Sequence, residues 1–190
     1  MLEDNQTYIV VDIENNGPTP GLYSMLAIGA CATNDAKEIS SFYRKIAPLE
    51  GSGEHPETMK WWQSQPKAWA ELSKDAEPAE KVMKDFYKWL KSLGTEPVFV
   101  AHPLAVDYTF VSWYLYKFLG HNPFEENKAD IILSLDLRSF ISGKFNKTLV
   151  NSSRNKLPEA LKMGMPDHTH NALEDAQGYA VILRNVLDAK

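Results

Sequence analysis

The order of apolar segments along the 190 residues predicts a mixed α/β fold with a five-stranded sheet flanked by helices. Two observations predict this class. The first 46 residues contain three apolar segments with short connections, which is typical of an antiparallel meander. From Pro97 onwards, short apolar segments alternate with segments of helical periodicity, which is typical of strand–helix units.

The first predicted strand, residues 8–14, ends in two carboxylates at alternate positions, Asp12 and Glu14. Side chains two residues apart in a strand point to the same face, so these carboxylates are expected to lie side by side. The strand stops at residues 15–18, which favour a turn. The pair is interpreted as half of a divalent-metal site, because a cation between two like charges offsets their repulsion. A polar strand end exposed to solvent is an equally good interpretation of the motif alone.

Residues 22–33 and 37–46 predict the second and third strands, with a turn at Asn34 and Asp35. Small residues in the second strand, among them Ala27 and Gly29, suit close packing against a neighbouring element. Cys31 is the only cysteine of the chain, so no disulfide forms within it, and its apolar context predicts a core position.

Three helices are predicted next, each beginning at a proline: Pro56, Pro66 and Pro78. The third has a clear helical stripe and is expected to end near Gly94. The first two contain tryptophans that are expected to pack a helical flap onto the body, with stacking on nucleic-acid bases as the alternative. These tryptophans are Trp61, Trp62 and Trp69.

The fourth strand is predicted at residues 97–101, followed by a loop and a helix that starts at Asp107 and ends at Gly120. Asp107 therefore lies at a strand–helix junction, where an ordinary role would be capping the helix N-terminus. His102 in the preceding loop is assigned no chemistry. A fifth strand is predicted within residues 131–137, running into a helix near Arg138.

Charge is distributed unevenly, although the net charge of -5 argues against a protein that coats phosphates generally. Between Arg138 and Lys162 there is one acidic residue against six basic residues. This basic segment could contact a phosphate backbone, but a solvated loop and helix face is the simpler interpretation. Within it, residues 143–155 are polar and predict a mobile loop, and residues 157–161 predict a short helix. The six basic residues are Arg138, Lys144, Lys147, Arg154, Lys156 and Lys162.

The last helix combines a cap with an inward-facing acid. Asn171 is a plausible N-cap, and the apolar stripe that follows includes the position of Asp175. A carboxylate that faces the protein body needs a partner. His170 precedes the cap and is a candidate general base, and His168 is an equal rival for that role on residue order alone.

Length and composition place the chain among ordinary globular proteins, and residues 1–190 are expected to form a single domain. No apolar run approaches the ~20 residues of a membrane span, so no membrane association is expected. The first residues lack the basic and apolar regions of a signal peptide, and a cytoplasmic location is the default expectation.

Three motifs occur in order: Asp12-Ile13-Glu14, then Asp107 after His102, then the segment from His170 to Ala176. Together they resemble the DEDDh branch of the DnaQ-like 3'–5' exonucleases, a superfamily that includes ribonuclease T, over residues 8–187. The resemblance implies a ribonuclease H-like fold, a mixed five-stranded sheet whose first three strands are antiparallel. It also implies that His170, rather than His168, is the general base. The family usually has Asn after the histidine of its second motif, where this chain has Pro103, which leaves substrate positioning open.

The resemblance further implies a metal-dependent 3'–5' exonuclease that acts on single-stranded or short RNA or DNA, with RNA slightly favoured, and releases nucleoside 5'-monophosphates. Two ions, Mg²⁺ or Mn²⁺, would be held by four carboxylates, with Asp12 bridging both. Asn15 and Met25 are the positions suggested for contact with the 3'-terminal nucleotide, and a homodimer is expected by analogy. The four carboxylates are Asp12, Glu14, Asp107 and Asp175.

Two other functions are compatible with the sequence. A non-catalytic nucleic-acid-binding or interaction module would share the fold, but the complete set of four carboxylates and His170 argues against it. An enzyme that hydrolyses a small dinucleotide phosphodiester is the other alternative, and the acidic net charge is consistent with it.

Overall fold

A five-stranded sheet lies at the centre of the protein, with the strands in the order β3-β2-β1-β4-β5. A computed structural model describes residues 5–125, 133–166 and 170–189. β1 pairs antiparallel with β2, β2 antiparallel with β3, β4 parallel with β1, and β5 parallel with β4. The predicted mixed sheet with an antiparallel first half is confirmed. The strands are β1 (Gln6–Asn15), β2 (Met25–Thr33), β3 (Glu38–Lys45), β4 (Glu96–Ala101) and β5 (Ser134–Asp136).

Seven α-helices surround the sheet in the described parts of the chain. In those ranges, no helix combines the length and apolar content that crossing a bilayer requires. Two 3-10 turns, Leu149–Ser152 and Arg154–Lys156, follow the fifth helix. The helices are α1 (Pro56–Gln63), α2 (Pro66–Leu72), α3 (Ala79–Ser92), α4 (Leu104–Leu119), α5 (Leu137–Lys144), α6 (Glu159–Lys162) and α7 (Ala172–Asp188).

The two faces of β1 belong to different cores, because successive side chains of a strand point to opposite sides. Ile9, Val11 and Ile13 pack in the cluster that includes α3 and α4. Tyr8 and Val10 pack in the cluster that includes α5 and α7. Asp12 and Glu14 continue the second series, so the strand directs both carboxylates toward the side of the sheet that α7 covers.

Gly29 allows α7 to approach the sheet closely. It pairs with Asp12 across β1 and β2, and a Cβ atom at this position would lie 2.2 Å from the backbone carbonyl of Ala172. The first turn of α7 therefore lies directly on the strand. This contact brings the start of the last helix next to the carboxylates of β1.

Several predicted boundaries were wrong. β2 begins at Met25 rather than at residue 22, and α4 begins at Leu104, so Asp107 is in the first turn and is not the cap. The predicted fifth strand is confirmed only as the three residues of β5, and residues 131–132 lie outside the described residues. The segment 143–155 was predicted as a mobile loop, but it contains the end of α5 and 3-10 turns with two buried side chains, Ser152 and Arg154.

Candidate active site

Three carboxylates from two elements meet at one end of the sheet. Asp12 and Glu14 come from β1, and Asp175 comes from the first turn of α7. One carboxylate oxygen from each lies within 4.8 Å of the others. Glu14 and Asp175 are buried, and Asp12 is half-buried. Carboxylates that converge at this separation match the hard oxygen donors that Mg²⁺ and Mn²⁺ prefer, so the residues fit a divalent cation.

Asp107 approaches the same end of β1 from the other layer. Its Oδ1 accepts a hydrogen bond from the backbone N–H of Ile13 at 3.0 Å, and its side chain is buried. This contact joins the first turn of α4 to the strand segment between Asp12 and Glu14. The carboxylate therefore has a tertiary partner rather than a capping role.

Burial raises the pKa values of the acids on β1 and α4, and mutual repulsion adds to this effect on β1. Loss of hydration is the largest cause for Asp12, followed by the charges of Asp107 and Glu14. Loss of hydration also raises the pKa of Glu14, with the charge of Asp175 second. Burial raises the pKa of Asp107 to about 7, although its hydrogen bond from Ile13 acts in the opposite direction. A bound divalent cation would lower these pKa values by adding positive charge beside the acids.

His170 lies at the entrance to α7, immediately before the cap. Its φ of 57° is in the left-handed region, and Asn171 then caps the helix by accepting hydrogen bonds from the N–H groups of Leu173 and Glu174. The cap predicted from sequence is confirmed. The imidazole of His170 contacts the indole of Trp61 edge to face, with ring centroids 4.9 Å apart. Its rival His168 lies outside the described residues.

The helical flap formed by α1 and α2 uses its adjacent tryptophans differently. Trp62 is buried and donates its indole N–H to the carbonyl of Asn15 at 2.9 Å, so it packs the flap onto the end of β1. Trp61 is 41% exposed and lies against His170. A cleft of about 310 Å³ lies beside His170, between the flap and α7, and is lined in part by Tyr43 and Lys67.

The two positions suggested for nucleotide contact differ in accessibility. Met25 is fully buried, and its backbone N–H donates to the hydroxyl of Tyr114 at 2.7 Å; its contact with a nucleotide stays a prediction. The carbonyl of Asn15 already accepts the bond from Trp62, and its side-chain oxygen accepts from Gly17 N–H at 3.1 Å. Asn15 is half-buried, and its contact with substrate stays a prediction.

Arg154 is a site residue whose role sequence reasoning missed. It is buried, and its Nη1 lies 2.7 Å from Oδ1 of Asp175. The guanidinium also lies over the ring of Tyr179, which in turn stacks on His102. The available signal was the basic segment to which Arg154 belongs, but residue order does not show which of its cations points inward.

Comparison with known proteins places these residues in a nuclease family. A family model described as the 3'-5' exoribonuclease Rv2179c-like domain matches residues 7–187. The 3'-5' DNA exonuclease Cap18 of Escherichia coli is 31% identical over 198 residues, covering 97% of this chain and 93% of Cap18.

Solved structures share the fold at low sequence identity. The nuclease domain of 3'hExo, described as a DEDDh family member and solved with bound rAMP, has a TM-score of 0.68 at 14% identity and covers 96% of this chain and 90% of that chain. Escherichia coli exonuclease I, solved with a dA16 oligonucleotide, has a TM-score of 0.69 at 14% identity. That match covers 95% of this chain and 40% of exonuclease I.

Proposed function

Because the chain belongs to the Rv2179c-like family of 3'–5' exonucleases, we propose that it removes nucleotides from the 3' end of single-stranded or short nucleic acid. The products are nucleoside 5'-monophosphates. The observation that carries the proposal is the convergence of Asp12, Glu14 and Asp175 within 4.8 Å, with Asp107 bonded to the strand segment between Asp12 and Glu14. A binding module without catalysis would not need several buried acids with raised pKa values.

The residues divide the work of phosphodiester hydrolysis. Asp12, Glu14 and Asp175 would hold one divalent cation, and Asp107 together with Asp12 would hold a second. When bound, two such ions supply charge stabilisation for the phosphate and an activated water. His170 would accept the proton of the attacking water, because it lies just before α7, whose first turn carries Asp175. The cleft beside His170, of about 310 Å³, is at the lower end of the volumes typical of ligand pockets.

Relatives differ in the sugar that their descriptions name. The family is described as exoribonucleases, and Cap18 is described as a DNA exonuclease. The 2'-hydroxyl is recognised by individually placed hydrogen bonds, which motif residues do not encode. We therefore propose the exonuclease activity for both sugars and leave the preference to direct measurement.

The test is digestion of 5'-labelled single-stranded RNA and DNA oligomers with Mn²⁺. We expect a ladder that shortens from the 3' end, and its loss in the Asp12→Ala and His170→Ala variants. Matched controls are Asp35→Ala, an exposed carboxylate in the turn between β2 and β3, and His121→Ala, a histidine that packs against Tyr87. Both controls should retain wild-type cleavage.

A free dinucleotide assayed beside a 20-residue oligomer separates the alternatives. Cleavage of the dinucleotide alone would favour the hydrolase of small phosphodiesters. Failure of the folded protein to cleave either sugar with Mg²⁺ or Mn²⁺ would contradict the exonuclease proposal and favour a binding module. Retained activity in His170→Ala would remove His170 from the proposed mechanism while leaving the metal site intact.

A further inference from the structure

Arg154 is positioned to neutralise the carboxylate of Asp175. Its side chain is 8% exposed and that of Asp175 is 2% exposed, and the two are joined by the 2.7 Å contact between Nη1 and Oδ1. Its Nη2 donates a hydrogen bond to the carbonyl of Pro166 at 3.4 Å. A charge buried this deeply requires a partner, so Arg154 and Asp175 depend on one another in the metal-free protein.

The surroundings of Arg154 fix the direction of its side chain. The guanidinium carbon lies 5.3 Å from the centroid of the Tyr179 ring. Gly178, inside α7, lies next to the arginine: a Cβ atom there would lie 3.1 Å from Cγ of Met165 and 3.4 Å from Nη2 of Arg154. Neighbouring groups thus hold the guanidinium against Asp175.

We propose that Arg154 is the resident counter-ion of Asp175, which neutralises and positions this carboxylate in the metal-free protein and thereby sets the affinity of the site for a divalent cation. The inference rests on the proposed function, because it takes Asp175 as a cation ligand. Arg154 is a positioning residue and acts through Asp175.

The proposal predicts that removing Arg154 lowers the stability of the metal-free protein and raises its affinity for a divalent cation. Replacing Arg154 with methionine keeps most of the side-chain volume but removes the ion pair of Asp175 with Arg154, beside Asp12 and Glu14. The metal-free protein should lose stability, because breaking a buried ion pair on one side strands a charge. A divalent cation should restore most of that stability, since it supplies the missing positive charge and binds only the folded state.

The experiment compares melting temperatures with EDTA and with manganese chloride for the wild type, Arg154→Met and Arg154→Lys. In Arg154→Met the rise in melting temperature on adding Mn²⁺ should exceed the wild-type rise by about 5 °C or more. The half-saturating Mn²⁺ concentration should fall roughly tenfold in the same variant, because the cation no longer competes with a neighbouring positive charge. Arg154→Lys keeps the charge and should remain close to the wild type in both measurements.

Arg184→Met is the matched control, because Arg184 belongs to α7 and its Nη1 donates to the hydroxyl of Thr33 at 2.8 Å. Its loss of stability should be the same with and without Mn²⁺. An equal loss in Arg154→Met under both conditions would show a merely structural arginine and overturn the inference. A wild type that does not respond to Mn²⁺ or Mg²⁺ would instead contradict the proposed function.

The double variant Arg154→Met/Asp175→Asn covers the case in which Arg154→Met does not fold without metal. Removal of both charges should recover metal-free stability relative to Arg154→Met alone. If the double variant is as unstable as the single one, Asp175 is not the group that Arg154 neutralises, and the inference fails.

Discussion

At the scale of single residues, Asp12 is repelled by neighbouring carboxylates and has a proposed catalytic role. Its carboxylate lies beside Glu14, Asp107 and Asp175, whose negative charges all raise its pKa. The arrangement is unfavourable in the metal-free protein and suited to holding a cation. Removing this carboxylate should therefore raise the stability of the metal-free protein and lower its activity.

Asp12→Asn keeps the shape of the side chain and removes the charge. We expect exonuclease activity to fall by roughly a thousandfold, equivalent to about 4 kcal/mol of transition-state stabilisation. The metal-free melting temperature should rise, because one of several repelling buried acids is gone. Calorimetry with EDTA and the oligomer assay measure the two effects. A lower metal-free melting temperature would contradict the proposed repulsion.

Trp61 is expected to hold the general base in place. Trp61→Ala removes the indole edge that contacts His170, while the half-exposed position keeps the cost to folding small. We expect kcat to fall about tenfold with KM nearly unchanged, since misplacing a reacting group lowers the rate of the chemical step. Trp61→Phe should recover most of kcat. Steady-state kinetics on one oligomer provide the measurement. A rise in KM without a fall in kcat would indicate that Trp61 stacks on a nucleic-acid base instead.

At the scale of elements, the packing of α7 on β2 decides whether Asp175 reaches the site. The two elements touch at Gly29 and Ala172, where backbone meets backbone. The capped first turn of α7 starts from this contact and carries Asp175 toward β1. The geometry of the site therefore depends on a residue that has no side chain.

Gly29→Ala should displace the start of α7, because the added Cβ would lie 2.2 Å from the carbonyl carbon of Ala172. We expect a loss of about 2 kcal/mol or more of unfolding free energy, the usual range for overpacking, together with a large loss of activity. Chemical denaturation and the oligomer assay test this. Gly143→Ala is the control: it lies in α5 with open space around its Cβ position and should stabilise the protein by about 0.5–1 kcal/mol.

At the scale of the whole molecule, the buried acids link stability to pH. Burial raises the pKa of Asp107 to about 7, whereas an aspartate in an unfolded chain titrates near ~3.9. The folded state therefore binds more protons between these values. The stabilisation due to the protonated group is fully present below about pH 4 and is lost as the pH rises through 7.

The metal-free protein should accordingly melt about 5 °C or more lower at pH 8 than at pH 5.5. Asp107→Asn, which keeps an acceptor for the N–H of Ile13, should flatten this dependence. Added Mn²⁺ should reduce the difference, because it binds the deprotonated carboxylates. Thermal melts across this pH range supply the measurement, and a melting temperature that rises with pH in EDTA would oppose the assignment of raised pKa values.

Some properties of the whole molecule stay predictions of the sequence. These are the single domain of residues 1–190, the cytoplasmic location and the homodimer. Sedimentation with and without substrate tests the last of them. The roles of the four carboxylates and His170 likewise stay proposals until the variants have been assayed.

The sequence by itself determined the mixed sheet, the alternation that pairs Asp12 with Glu14, the Asn171 cap and the inward face of Asp175. Each of these follows from a local period, two residues in a strand or 3.6 in a helix, or from a local capping pattern. The resemblance to the DEDDh nucleases likewise used short motifs and their order.

Only the tertiary structure decided the contacts between residues far apart in the chain. Asp107 bonds to Ile13 across 94 positions, and Arg154 reaches Asp175 from a segment that residue order predicted as a solvated loop. Met25 is fully buried and its backbone N–H donates to the hydroxyl of Tyr114, so the first residue of β2 belongs to the core. Such contacts depend on which helix covers which face of the sheet. A local sequence pattern does not specify that arrangement, because the burial of a residue is set by the elements that pack against it.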